Sequence, residues 1–269
     1  MSYFLKSTAI KMVPPKPYGL FHLSFFILGL IISFYLANKL KNINDKQNKK
    51  LLFLTGIFLL VIEIYKELFY FYIVNNGHYD WSTFPFQLCD IPMYICLIIV
   101  FVKNKKVEEG MYNFMASYNL LGAFITFFEP SSLCRPYLFM TIHGFLWHLI
   151  LMFLGIYIAM SGRCLKQKKD FITSTKVYAI LCSIALLLNI SLSNISGGKL
   201  NAFYLGPVTS PIIVFQDISI KFGWFTNLLV FVLAMTLGAY LIYIFFYNLD
   251  NIKMFIRNKY VKRQLNENK

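Results

Sequence analysis

The chain has 269 residues, of which 58% are hydrophobic, 18% aromatic and only 14% charged; 26 Lys and Arg against 12 Asp and Glu give a formal charge of +14. Soluble domains run nearer half apolar and about a quarter charged. The composition therefore excludes a secreted enzyme, a disulfide scaffold, a disordered chain and a collagen-like fibre, and indicates an all-α polytopic transmembrane helix bundle.

A spanning helix needs about 20 mostly apolar residues, so a chain of this length has room for about seven. Residues 1–18 lack the apolar core of a cleavable signal and read as an extracytoplasmic N-terminal segment. Hydropathy places spans near 19–38, 51–74, 84–102, 110–128, 141–160, 177–194 and 222–247, with a basic cytoplasmic tail over 248–269. The longest interruption, 195–221, contains Phe203, Tyr204 and an apolar run from Val208 to Phe215. It reads as an interfacial or re-entrant segment, the form in which non-helical backbone is tolerated at membrane depth.

Charge sets the orientation. The loops after the first, third and fifth spans, with the tail, hold 19 Lys and Arg; the other side holds 6, and Lys66 lies inside a span. Positive charge stays cytoplasmic, so the expectation is a multi-pass cell-membrane protein with its N-terminus outside and its C-terminus inside. Tail residues Lys253, Arg257, Lys259, Lys262 and Arg263 suit anionic lipid headgroups, at about 1 kcal/mol each. So short a tail offers too little basic surface for nucleic acid, and the residues call for no cofactor. A retinal-binding protein is set aside because 222–252 contains no lysine.

Ionisable residues at bilayer depth are costly and functional by default. In the second span, Glu63, Lys66 and Glu67 have the spacing that pairs Lys66 with Glu63 and leaves a carboxylate over. Glu67 falls about 10 Å below the outer end of its helix. The third span begins Phe84-Pro85-Phe86-Gln87-Leu88-Cys89-Asp90-Ile91-Pro92. Thr83 is expected to cap it, with Pro85 in its first turn. Pro92 is expected to remove the bond to the Leu88 carbonyl and kink the helix beside Cys89. Cys89 then lies about 7 Å inside the outer end, near the positive end of a helix dipole that favours a thiolate. Packing as a small apolar residue is the plain alternative, and Cys96, Cys164 and Cys182 fit it. A Cys89–Cys134 disulfide is less expected than free thiols.

In the fifth span His148 lies about 10 Å deep, and His143 is five residues earlier, roughly 140° around the helix. That offset argues against a two-histidine metal site, and a hydrogen-bonding core role is the plain alternative for His148. His22 and His78 read as interfacial. Cys89, His148 and Glu67 thus fall in one layer, with the residue types that thiol chemistry requires: nucleophile, base and orienting group. The alternative is a non-enzymatic transporter or receptor-like protein in which Glu63, Lys66, Glu67, Asp90 and His148 line a polar path.

Three stretches carry a resemblance: Phe84 to Asp90; His148-Leu149-Ile150 with Tyr157; and Gly198-Lys199-Leu200-Asn201 through Leu205-Gly206-Pro207. They resemble the bacterial YwaF-like integral membrane proteins, which are similar to the vertebrate transmembrane protein 164 family. The resemblance implies a helical membrane acyltransferase that moves fatty acyl chains between phospholipids through a cysteine thioester with a histidine partner. By position these are Cys89 and His148, although Asp90 stands where the vertebrate pattern has a histidine. A membrane phospholipid in the outer leaflet is then the substrate. Glu67, Gln87, Asp90 and Asn201 would support the chemistry, Gln87 or Asn201 by donating to an oxyanion. Arg135, Lys199 and Lys221 would be placed to hold a phosphate.

Overall fold

The computed structural model describes residues 2–249. Helix α1 (Ser2–Ser7) precedes α2 (Leu20–Leu40) and α3 (Asp45–Phe69), which runs on into a π turn, Tyr70–Val74. After α4 (Ile91–Ile98), one rod is formed by α5 (Lys105–Phe114), the π turn Met115–Asn119 and α6 (Leu120–Phe128). Then come α7 (Leu138–Met160), α8 (Lys168–Ser191), the short α9 (Ser193–Ser196) and α10 (Ile213–Tyr247), the last interrupted at Gly223, whose φ is 83°. Among the described residues the one β pairing is the isolated Lys11–Tyr137 bridge.

Local chemistry sets the helix ends. At the start of α3 the Gln47 N–H donates to Asn44 Oδ1 (2.9 Å), and the Asn44 N–H donates to Gln47 Oε1 (3.2 Å). This reciprocal cap satisfies two orphan donors. At the start of α8 the Asp170 carboxylate accepts the Gln167 N–H at 3.0 Å, and the Asp170 N–H donates to the Gln167 backbone carbonyl at 2.9 Å.

Helices α2, α7, α8 and α10 are each long and apolar enough to cross a membrane. Their burial pattern is that of lipid-facing rods. In α10, Asn227, Phe231, Met235, Ala239 and Tyr243 are buried, one every four residues, while Leu229, Leu233, Leu237 and Leu241 are exposed. Lipid gives apolar side chains no reason to turn inward, so close packing and polar contacts select the inner face. Helix α7 is the hub, packed against α2, α3, α6 and the Met115–Asn119 π turn. Backbone is approached closely at Gly155, where an added Cβ would lie 2.7 Å from Leu120 Cβ and 3.1 Å from the Met115 carbonyl oxygen. Gly155→Ala is therefore expected to destabilise the bundle by about 1–3 kcal/mol through overpacking, seen as earlier thermal aggregation in detergent.

The end of the bundle near Lys49 and Lys105 is tied by a polar network. Asn48 donates to Tyr112 Oη (2.8 Å) and accepts from Tyr157 Oη (2.6 Å), joining α3, α5 and α7. Glu108 beside it pairs with Lys49 and Lys105, each at 3.0 Å. Burial raises its carboxyl, but the two ammonium groups outweigh that and hold it below the usual carboxylate range.

Four expectations change. The stretch 84–102 is not one long helix: α4 has eight residues, about 12 Å. Pro92 lies in its first turn, where a missing N–H costs no bond, so it starts a helix and does not kink one. Upstream, Pro85 lies in no helical first turn, and it holds Phe84 in an extended conformation (φ −49°, ψ 126°). Thr83 ends a short 3₁₀ turn, Trp81–Thr83, and caps no helix. His22, in the first turn of α2, is buried between Phe127 and Phe145 and accepts the Tyr18 N–H at 3.2 Å. Residues 195–221 hold the second half of α9, a 3₁₀ turn at Ala202–Tyr204 and nearly all of the segment of α10 that precedes Gly223. The basic tail residues Lys253 to Arg263 lie outside the described residues.

Candidate active site

The turn 84–90 is held from within and from without. The Asp90 carboxylate accepts the Gln87 N–H at 2.6 Å, and the Asp90 N–H donates to the Gln87 carbonyl at 2.9 Å. These bonds curl the backbone so that Cys89 projects just before α4. Tyr94 Oη donates to the Pro85 carbonyl (2.7 Å), and Trp147 Nε1 of α7 donates to the Cys89 carbonyl (3.1 Å). Cys89 Sγ lies 3.9 Å from Asp90 Oδ1.

A cavity of about 230 Å³ lies beside this turn, and both Cys89 and His148 line it. The His148 Nδ1 is 2.8 Å from the Gly144 carbonyl oxygen. A carbonyl only accepts, so Nδ1 carries the proton and Nε2 is left as the basic lone pair. His148 is thereby fixed in the tautomer that a general base requires. His143 also lines the cavity, stacked on Trp147 with ring centroids 5.5 Å apart. The 140° offset thus does not separate the two histidines, because the cavity wraps an arc of α7 that includes Gly144 and Trp147.

Charge enters from α3. Lys66 Nζ lies 2.6 Å from Glu63 Oε1, the pairing expected from their spacing, and 3.4 Å from Glu67 Oε1. It also approaches the Thr83 carbonyl at 3.4 Å. Glu63, Lys66 and Asp90 line the cavity; Glu67 does not, and it meets the site only through Lys66 and Thr83. Arg135 lines the cavity, whereas Lys199 and Lys221 do not.

The fourth wall is the loop 201–206. Phe203 and Tyr204 have φ of 55° and 57°, left-handed values at two consecutive non-glycine residues. Gln87 bridges the Cys89 turn to this loop: its Nε2 donates to the Asn201 carbonyl and its Oε1 accepts the Phe203 N–H, both at 2.9 Å. Asn189 grips Ala202 through both backbone groups, at 2.7 and 3.0 Å. Asn201 Oδ1 accepts the Gly206 N–H at 2.8 Å, and Trp224 Nε1 donates to the Leu205 carbonyl at 3.0 Å. Gln87 and Asn201, expected as oxyanion donors, thus hold backbone; Gln87 borders the cavity and Asn201 does not. Tyr204 does border it.

All five cysteines are free, Cys134 among them. Burial raises the Cys134 thiol despite the Arg135 beside it. Trp147, His143 and Tyr204 line the cavity although the sequence suggests no role there for Trp147 or Tyr204 and weighs His143 only as a metal ligand. Trp147 carried a signal, one residue from His148, but Tyr204 is one of 18 tyrosines in a loop and carried none.

A family model described as the TMEM164 family matches residues 17–247. No curated protein and no solved structure matches the chain. The family match and the long apolar helices together make this a membrane protein.

Proposed function

Because the chain belongs to the TMEM164 family, we propose that it transfers acyl groups between membrane phospholipids through a thioester on Cys89. The observation that carries this reading is the cavity shared by Cys89 and His148, with the His148 Nδ1 committed to the Gly144 carbonyl. His148 Nε2 takes the thiol proton as Cys89 attacks the lipid ester, then returns a proton to the departing lysolipid oxygen. In the second half-reaction the same nitrogen deprotonates the acceptor hydroxyl. The basic loops at the far end of the bundle, taken with the positive-inside rule, support a cavity that faces the outer leaflet, at the headgroup–acyl boundary where the ester lies. Arg135 on the cavity wall suits the lipid phosphate, and the basic tail suits anionic headgroups on the inner leaflet.

The test is reconstitution of the full chain with a phosphatidylcholine whose acyl chain is isotopically labelled, and an unlabelled lysophospholipid acceptor. A hydroxylamine-sensitive acyl adduct should map to Cys89, and Cys89→Ala should lose both adduct and transfer. Transfer that survives Cys89→Ala removes the proposal. Ion flux across the same vesicles that depends on Glu63 and is indifferent to Cys89 would favour the transport reading.

A further inference from the structure

An acyl-transfer site needs a hydrogen-bond donor where the carbonyl oxygen gathers charge; of the two amides suggested by sequence, Gln87 donates to the Asn201 carbonyl and Asn201 does not border the cavity. The Gln87 amide spans Asn201 and Phe203, and Asn201 turns its oxygen to Gly206. The loop they hold has a cost. Left-handed backbone at a non-glycine residue costs on the order of 1–3 kcal/mol and persists only where its surroundings over-determine it. Here two aromatic residues adopt it in succession, with Gln87, Asn189, Asn201 and Trp224 as the restraints. Phe203 accounts for part of this, its ring lying near-parallel to Phe86 at 5.8 Å and to Tyr178 at 6.4 Å. What the restraints accomplish for Tyr204 is different: they deliver it to the cavity wall that Cys89 and His148 share. Its ring rests edge-on to Phe231 at 6.2 Å, and its hydroxyl has no hydrogen-bond partner among the described residues.

The geometry points to Tyr204 as a further catalytic residue, its hydroxyl donating to the acyl oxygen during attack by Cys89. This rests on the thioester reading above. As the Sγ–carbon bond forms, the thiol proton passes to His148 Nε2, and the carbonyl π pair moves onto oxygen, where the Tyr204 O–H meets it. On collapse the pair returns, the ester C–O bond breaks, and the His148 proton goes to the leaving alkoxide. Burial, together with the neighbouring Cys89 and Asp90, pushes the Tyr204 phenol up to about 12, so it keeps its donor proton.

Two reactions at one sulfur provide the test. Acylation by 4-nitrophenyl palmitate passes through an oxyanion, whereas alkylation by iodoacetamide does not. Both rates are read by peptide mass spectrometry at Cys89, on the full chain in lipid nanodiscs. Tyr204→Phe should slow acylation about 100-fold, as loss of one oxyanion donor does, and leave alkylation within about twofold of wild type. Equal acylation rates overturn the assignment, and so does an equal loss of both reactions, which marks a structural role. A wild-type chain that is alkylated but never acylated overturns the thioester reading itself.

Discussion

Replacing His148 with alanine is expected to slow acylation of Cys89 by about 1,000-fold, within the range lost with a positioned general base. The effect should be large because the ring is already committed: the Gly144 carbonyl holds Nδ1 at 2.8 Å, so every molecule presents Nε2 as a lone pair. His148 is buried on the same cavity wall as the thiol, where bulk water cannot readily substitute as base. The measurement is the rate of adduct formation on Cys89 with a long-chain acyl ester. External imidazole should restore part of the rate in the alanine variant by entering the vacated space. A variant that acylates as fast as wild type removes His148 from the mechanism and leaves it as a packing residue.

Lys66→Met is expected to destabilise the protein by about 3–5 kcal/mol, the cost of leaving a buried charge without its partner. Glu63 is only 3% exposed and sits 2.6 Å from the ammonium, with Glu67 on the same nitrogen and Asp90 on the same cavity wall. One cation thus serves a group of carboxylates in a poorly solvated place, and its loss leaves repulsion as well as desolvation. Adding Glu63→Gln to Lys66→Met should recover much of the loss, because a neutral amide removes the orphaned charge. Thermal unfolding in detergent, followed by tryptophan fluorescence, reads both variants. If Lys66→Met melts with wild type, the ion pair contributes nothing to the bundle.

What could be read from the sequence follows from what hydropathy measures. The long rods were legible because apolar length is local, and the Glu63–Lys66 pair because a helix fixes three-residue spacing. The break at 84–90 was not, since its residues are as apolar as a helix would be and only two prolines and the Asp90–Gln87 bonds decide otherwise. Cys89 and His148 could be assigned a common depth but no lateral relation; that depends on Trp147 reaching across to the Cys89 carbonyl. Gln87 and Asn201 read from the sequence as oxyanion donors, and the structure ties both to loop backbone. Their partners lie 114 and 5 residues away, and no spacing rule distinguishes a clamp from a donor. His22 reads as interfacial by position, and the rings of Phe127 and Phe145 close over it.

The bond from Trp147 to the Cys89 carbonyl has a mechanical consequence. Trp147 and His148 are neighbours on α7, so one rod both carries the proposed base and grips the turn that bears the proposed nucleophile. Bilayers fluctuate in thickness, and helices answer by tilting and sliding. A tilt of α7 is expected to carry the Cys89 turn along with His148 through this bond. Alignment of the proposed pair is therefore expected to depend less on bilayer thickness than that of groups on helices with no such link.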